Sequence, residues 1–147
     1  MASYLELDAE SVGKIALLFI EGDRLENVLL DKLGHTDYDF DNFNALKKAL
    51  MKAERINPFL DLTAMLWQLR PDNPDVALPL VCGNALPIEG WQATCPNEAL
   101  RAAFDHGIYG IKNRGKCCSH YFPVKNSDGQ IVGVLELLQG KRQKGDI

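Results

Sequence analysis

Apolar residues recur every three or four positions in the first third of the chain, which predicts helices. One run starts after Asp8, a residue type that caps helices, and a second continues beyond Gly22 as far as Gly34. Gly22 either breaks this stretch or is tolerated within one helix. Steps of three and four also predict a coiled-coil or bundle seam, formed by Ile15, Leu18, Gly22, Leu25 and Leu29.

A third helix is expected with Asp41 as its cap and with the Asn57-Pro58 pair as its end. The pattern then changes to shorter apolar runs. Residues 59–69 and 76–83 are typical of strands, and the prolines and aspartates between them are typical of a turn.

The segment from residue 94 to residue 107 has the signals of a helix. Thr94 or Cys95 is the expected cap, Pro96 lies in the first turn, and Gly107 ends the helix. This helix would cross over between the second strand and the strands that follow it. A short loop then leads to the next strand.

The last two apolar runs predict a hairpin that turns at residues 126–129. Its second strand has apolar side chains on both sides, so we expect a sheet that is covered on both faces. Gly133, in the middle of that strand, predicts the close approach of a helix or a ligand. The expected fold is α+β, an antiparallel sheet with helices on one face and a loop-helix crossover on the other.

Composition narrows the function classes. The 147 residues fit one domain, and the net charge of -4 makes nucleic acid an unexpected partner. No apolar run approaches the roughly 20 residues of a membrane span, and the first residues do not have the pattern of a signal peptide. Four cysteines, two of them adjacent, do not predict a disulfide scaffold. We therefore expect a cytoplasmic protein.

Two stretches resemble GAF domains. FPVKNSDGQIVGVLEL is similar to the closing hairpin of that family, and CGNALPIEGWQATCPNEALRAAFDHG is similar to the segment between its second strand and its central helix. The resemblance covers residues 40–139. It implies one domain with an N-terminal helical segment (1–34), a GAF-like core (40–139) and a tail or connector (140–147).

The resemblance implies a function as well as a fold. GAF domains are sensory or regulatory modules that bind small molecules between the sheet and the crossover segment, dimerise through flanking helices and often accompany an output domain. We accordingly expect a small-molecule ligand of unknown identity, a homodimer, a signalling partner and no catalysis. The expected ligand-binding residues are Trp91, Cys95, Phe104, Tyr109 and Tyr121.

Other interpretations remain. Cys95, with Cys82 as its resolving partner, resembles the thiol pair of the free methionine-R-sulfoxide reductases, which are GAF-fold enzymes. Residues 107–116 carry no carboxylate, however, so the substrate-binding part of that pattern is missing. A dimerisation module with a packed core and a PAS-like domain are further alternatives. No metal site is expected, because Cys117 and His120 are three apart on a strand and point to opposite faces.

Overall fold

The computed structural model describes residues 7–32, 40–83 and 93–140. Within these ranges, three helices precede two strands, and a fourth helix precedes three strands. The helices are α1 (Ala9–Ala16), α2 (Gly22–Lys32), α3 (Phe40–Arg55) and α4 (Glu98–His106). The strands are β1 (Leu62–Arg70), β2 (Asn73–Cys82), β3 (Gly110–Asn113), β4 (Cys117–Lys125) and β5 (Ile131–Gly140).

The five strands form one sheet in the order β2-β1-β5-β4-β3. Every neighbouring pair is antiparallel. The first three helices pack on one face of the sheet, which we call the helical face, and α4 packs on the other, which we call the crossover face. The predicted α+β architecture is therefore confirmed.

Strand alternation divides the buried residues between the two faces, because successive side chains point in opposite directions. On the helical face, Leu66, Leu135 and Leu137 are buried against the three N-terminal helices. On the crossover face, Trp67 and Val134 belong to a second buried cluster. Both faces of the central strands are covered, as the apolar pattern of the last strand predicts.

The first helix begins where the sequence predicts, because the Asp8 side chain accepts a hydrogen bond from the Ser11 amide at 2.8 Å. The chain then leaves helical geometry after Ala16 and re-enters it at Gly22. A β-carbon at Gly22 would overlap the Lys125 carbonyl oxygen, so the start of α2 lies directly on β4. Gly22 marks the break between two helices.

The predicted coiled-coil seam is wrong. Its residues do not lie on one continuous helix, and Leu25 is completely buried inside the protomer. Leu25 packs on Gly133, where a β-carbon would overlap its side chain. The close approach expected at Gly133 therefore comes from a helix. Of the predicted seam, Ile15 and Leu18 are exposed, at 36% and 85%.

The start of α3 also differs from the prediction. The helix begins at Phe40, so Asp41 lies in its first turn and is not the cap. A carboxylate there still favours the helix, since the N-terminus carries a partial positive charge. The helix ends at Arg55, two residues before the Asn57-Pro58 pair that predicts its end.

The crossover helix begins later than predicted. Asn97 is the cap, with its side chain accepting from the Leu100 amide at 2.9 Å, so Thr94 and Cys95 both precede the helix. Asparagine is as good a cap as any residue type. The sequence could therefore have identified Asn97 as the cap, since it directly precedes Glu98 and lies three residues before Leu100. Gly107 ends the helix in the left-handed conformation, with φ 64°, as predicted.

Strand β3 is absent from the sequence-based prediction, which assigns a loop to this segment. The strand has four residues and three of them are exposed, so it lacks the apolar alternation that marks a strand. Its pairing with β4 comes from the tight turn at Gly115, whose φ of 79° suits glycine. The β4–β5 hairpin, in contrast, is confirmed, with Gly129 at φ 82°.

Candidate functional site

A row of side chains crosses the sheet on the crossover face. Met65 of β1 lies opposite both Cys82 of β2 and Glu136 of β5, and Glu136 lies opposite Tyr121 of β4. Directly opposed residues in antiparallel strands point to the same face. Two apolar and two polar residue types therefore share this row, on a face that α4 covers from Glu98 onwards.

Glu136 is the unusual member of the row because it is a carboxyl group that is only 2% exposed. Its two oxygens accept hydrogen bonds from the Trp67 indole N–H, at 2.8 Å, and from the Ser119 hydroxyl, at 2.6 Å. Burial raises the pKa of Glu136, and the two hydrogen bonds and the charge of Arg114 oppose that shift without cancelling it. The net effect of these surroundings is to favour the neutral form of Glu136 more than water does.

Arg114 covers this buried network from the turn between β3 and β4. Its Nε donates to Ser119 Oγ at 2.7 Å, and one Nη2 hydrogen is directed to Tyr121 Oη at 2.9 Å. Although burial lowers the pKa of Arg114, the hydrogen bond to Tyr121 and the charge of Glu136 outweigh it and raise the pKa. The guanidinium is therefore a fixed positive charge above the crossover face.

Tyr121 links the network to the crossover helix. Its side chain is completely buried, and its hydroxyl also accepts a hydrogen bond from Asn97 Nδ2 at 3.0 Å. Asn97 caps α4 with its oxygen and binds Tyr121 with its nitrogen. Asn97 therefore connects Tyr121 to the first turn of α4. The connected residues, here called the Arg114 network, are Trp67, Asn97, Arg114, Ser119, Tyr121 and Glu136.

The border of this network is cationic. Lys112 lies opposite Ser119 and so shares its face, and Lys116 is exposed in the adjacent turn. A recess of about 490 Å³ lies between the first turn of α4 and β3, lined by Glu98, Gly110 and Lys112 among others. Residues 107–116 contain no carboxylate. Arg114, Lys112 and Lys116 therefore give this edge of the crossover face a positive charge, next to the Glu98 carboxylate that also lines the recess.

Of the five predicted ligand-binding residues, the structure describes four, and it does not bring those four together. Tyr121 lies in the Arg114 network, and Phe104 packs at the edge of the same buried cluster. Cys95 is exposed two residues before the cap of α4. Trp91 lies outside the described residues. Ligand binding by each of these residues stays a prediction.

Tyr109 lies on the helical face and not under the crossover segment. Its ring packs on Phe122, at 4.9 Å between centroids, and its hydroxyl is 2.7 Å from His120 Nδ1. Burial raises the pKa of Tyr109 to about 12. Burial also lowers the pKa of His120, so the pair is held in its neutral form. Tyr109 and Tyr121, both expected to bind the ligand, therefore lie on opposite faces of the sheet.

The thiol pair of the enzyme interpretation is separated along the sheet. Thr94 pairs with Ala77 in the middle of β2, while Cys82 is the last residue of that strand, five positions further on. Five residue steps along a strand amount to about 15 Å, far beyond the roughly 7 Å limit for bridged Cα atoms. Burial raises the pKa of the Cys82 thiol, which makes it a poorer nucleophile. Cys82 is therefore not placed to resolve a Cys95 intermediate.

The predicted site residues include one member of the Arg114 network, Tyr121, and miss the other five, namely Trp67, Asn97, Arg114, Ser119 and Glu136. Glu136 had a visible signal, since it is a carboxylate inside an apolar strand that is covered on both faces. Arg114 had none, because its role depends on the turn that β3 and β4 make. No group of His, Cys, Asp and Glu in the described ranges is arranged to hold a metal ion, and no helix there is long and apolar enough to cross a membrane.

Comparisons with known proteins identify the fold. A solved structure described as the structure of the GAF domain aligns with a TM-score of 0.50 and 13% identity, over 87% of this chain and 80% of that chain. The A. aeolicus NLH2 GAF domain in an inactive state aligns with a TM-score of 0.48 and 16% identity, over 86% and 81%. Neither the protein-family models nor the curated proteins give a match. The chain has the GAF fold.

Proposed function

We propose that this GAF-fold chain is a non-catalytic sensory or regulatory domain that binds a small anionic molecule on its crossover face. The observation that carries the proposal is the Arg114 network. It places a fixed guanidinium over a buried, hydrogen-bonded polar floor on a face that is otherwise apolar. Small-ligand sites are built in this way, from mostly apolar walls and a few oriented polar groups.

Arg114 has the capacity to bind an anion without giving up its anchors. A guanidinium has five N–H donors, and the bonds to Ser119 and Tyr121 use two of them. Lys112, on the same face, adds a second positive charge. A carboxylate or phosphate group at this position would be bound through charge-assisted hydrogen bonds, which are roughly twice as strong as neutral ones.

The signal would pass to the helical face through the strands that both faces share. His120 and Phe122 flank Tyr121 on β4 and contact the opposite layer. The start of α2 is bound to the β4–β5 turn, because Asp23 Oδ1 accepts from the Ser127 amide at 2.9 Å. A ligand that favours one of two helix packings, differing by a few kcal/mol, would shift their populations.

A homodimer and a signalling partner or output domain complete the proposal. The exposed side chains of Ile15 and Leu18 lie at the end of α1 and just after it, on the side away from the sheet core. Among the described side chains of the predicted seam, these two are exposed. A Leu18→Glu variant is expected to shift the protein from dimer to monomer in light scattering. A protein that is monomeric before the substitution contradicts the dimer.

The binding proposal is tested with acetate, succinate and inorganic phosphate, and with acetamide as an uncharged match to acetate. Isothermal titration is expected to show binding of at least one anion and none of acetamide. Arg114→Gln is expected to weaken that binding about tenfold or more, the worth of a hydrogen bond to a charged group. Arg101→Gln is the matched control, because Arg101 lies on α4 with Asp75 and Asp105 as partners. Equal anion affinity in the two variants would contradict the proposal.

A further inference from the structure

A second recess lies at the end of the sheet, away from the Arg114 network. The ladder between β1 and β5 stops at the Trp67–Val134 pair, although β1 continues to Arg70 and β5 begins at Ile131. The Gln68 side chain spans the gap, with Nε2 donating to the Val132 carbonyl at 2.8 Å. The space beside it measures about 390 Å³, within the range of small-ligand sites.

The walls of this recess come from three layers of the fold. Glu26 of α2 contributes from the helical face, Phe104 of α4 from the crossover face, and Gln68, Leu69 and Ile131 from the sheet between them. The recess is therefore the place where the two helical layers approach each other around the sheet end. It shares no residue with the Arg114 network.

The polar groups of the recess are acceptors. Gln68 Oε1 is shielded from solvent and has no hydrogen-bond partner among the described residues. Because Nε2 is held by the Val132 carbonyl, the amide cannot turn to exchange its ends without losing that bond. A buried acceptor without a partner is uncommon in native proteins, where most such atoms are satisfied.

The charge of the recess is negative. Glu26 is the charged residue among those that line it, and its Oε1 accepts from Asn126 Nδ2 at 3.0 Å, which holds the carboxylate at the border of the recess. The nearby cation Arg70 pairs with Asp72 at 2.8 Å and does not line the space. An anion would therefore be repelled here, and a cation with N–H donors would satisfy both oxygens.

We infer that this recess binds a small organic ammonium ion with an apolar body. The ammonium N–H groups would donate to Gln68 Oε1 and lie near the Glu26 carboxylate, while the body packs against Leu69, Ile131 and the Phe104 ring. An ammonium near an aromatic face gains a further electrostatic attraction. Such a ligand would bridge α2 and α4, and so would hold the two helical layers at a fixed separation.

The test uses benzylammonium as the probe and benzyl alcohol as its uncharged match, followed by amide chemical shifts of the whole chain. Benzylammonium is expected to perturb Gln68, Leu69, Phe104 and Val132, and to bind about tenfold more tightly than benzyl alcohol. Equal binding of the two probes, or perturbations that avoid these residues, would overturn the inference.

Two substitutions separate the contributions. Glu26→Gln keeps an oxygen for Asn126 but removes the charge, and is expected to weaken benzylammonium binding about threefold, because the ion pair is partly screened. Gln68→Met removes the buried acceptor at similar length and is expected to weaken it about tenfold. Glu10→Gln, on α1, is the matched control and leaves the affinity unchanged. Should Gln68→Met fail to fold, the exposed Glu26→Gln variant still decides, since an unchanged affinity there contradicts the ammonium assignment.

Discussion

Replacing Glu136 with glutamine measures how much the buried carboxylate destabilises the folded protein. Glu136 is 2% exposed, and burial is the largest cause of its raised pKa. Glutamine has nearly the same shape. Its oxygen can accept from the Trp67 N–H and its amide nitrogen can donate to Ser119 Oγ, so both hydrogen bonds of the carboxyl group have a replacement.

The sign of the pH dependence follows from the raised pKa. Because the folded protein holds the Glu136 proton more tightly than the unfolded chain does, folding takes up a proton between the two pKa values. The free energy of unfolding is then highest below the ordinary glutamate pKa. It falls as the pH rises from there to the raised pKa of Glu136 in the folded protein, and stays lower above it.

The magnitude is set by the size of the shift, at about 1.4 kcal/mol for each pKa unit. We expect Glu136→Gln to be more stable than the natural chain at neutral pH, because the buried glutamine carries no charge that burial penalises. The difference disappears in acid, where both side chains are neutral. Urea unfolding followed by circular dichroism, repeated from acid to neutral pH, measures the difference in the free energy of unfolding at both ends of this range.

Glu10→Gln is the control for this experiment, since Glu10 lies near the surface of α1 and pairs with Lys14 at 2.8 Å. It is expected to change the free energy of unfolding by less than about 0.5 kcal/mol. The reasoning is refuted if Glu136→Gln is less stable at neutral pH and keeps the slope of the natural chain. That result would mean that Arg114 and the two donors stabilise the carboxylate by more than burial costs.

Four further predictions test other parts of the structure. Gly133→Ala is expected to cost about 2 kcal/mol or more in urea unfolding, because the new methyl group meets the Leu25 side chain and lies 2.8 Å from the Trp67 carbonyl oxygen; an unchanged free energy would contradict the packing of α2. Asn97→Ala is expected to cost about 1 kcal/mol from the lost cap alone, and Asn97→Asp to restore most of it, in the same assay; equal stabilities would mean that the cap is unimportant. His120 is expected to titrate by NMR below the ordinary histidine pKa, because it is buried, and its contribution to stability is present above that ordinary value and is lost as the pH falls towards the lowered one; a normal pKa would contradict its burial. No NADPH-coupled reduction of free methionine sulfoxide is expected, since Thr94, next to Cys95, pairs with Ala77, five positions along β2 from the proposed partner Cys82; turnover that Cys95→Ser abolishes would restore the enzyme interpretation.

A strand can be predicted from the sequence where its apolar and polar side chains follow a clear pattern. β5 has apolar residues on both sides and Gly133 at a point of close approach, and both features describe its covered, central position. β3 shows the opposite case. As a short edge strand with one exposed apolar residue, Ile111, it has no pattern of its own, and its existence depends on β4 beside it.

The periodicity of the first third of the chain predicts helices, but it does not predict what their apolar side packs against. The same spacing of apolar residues fits a seam between two chains and a stripe buried within one chain. Leu25 lies over Gly133, so the stripe faces the sheet of its own chain. A contact between residues more than a hundred positions apart decides this, and no local pattern reports it.

The sequence predicts a site between the sheet and the crossover segment, but it does not predict which polar groups meet there. Tyr121 was expected there as an aromatic wall, whereas the structure uses its hydroxyl to join Asn97 and Arg114. Tyr109 was expected beside it and lies on the opposite face, because it precedes a strand that the sequence does not reveal. Aromatic residues are visible in a sequence, but the Arg114 network is assembled from five separate elements.

The most direct test of the central claim is amide chemical-shift mapping of the full chain during titration with small carboxylates and phosphate. The account predicts that the perturbed residues cluster on the crossover face, around Arg114, Ser119, Tyr121 and the first turn of α4. It predicts that Arg114→Gln removes these changes and Arg101→Gln does not. Perturbations confined to α1–α3, or none with any anion, would contradict the assignment of the ligand site to this face.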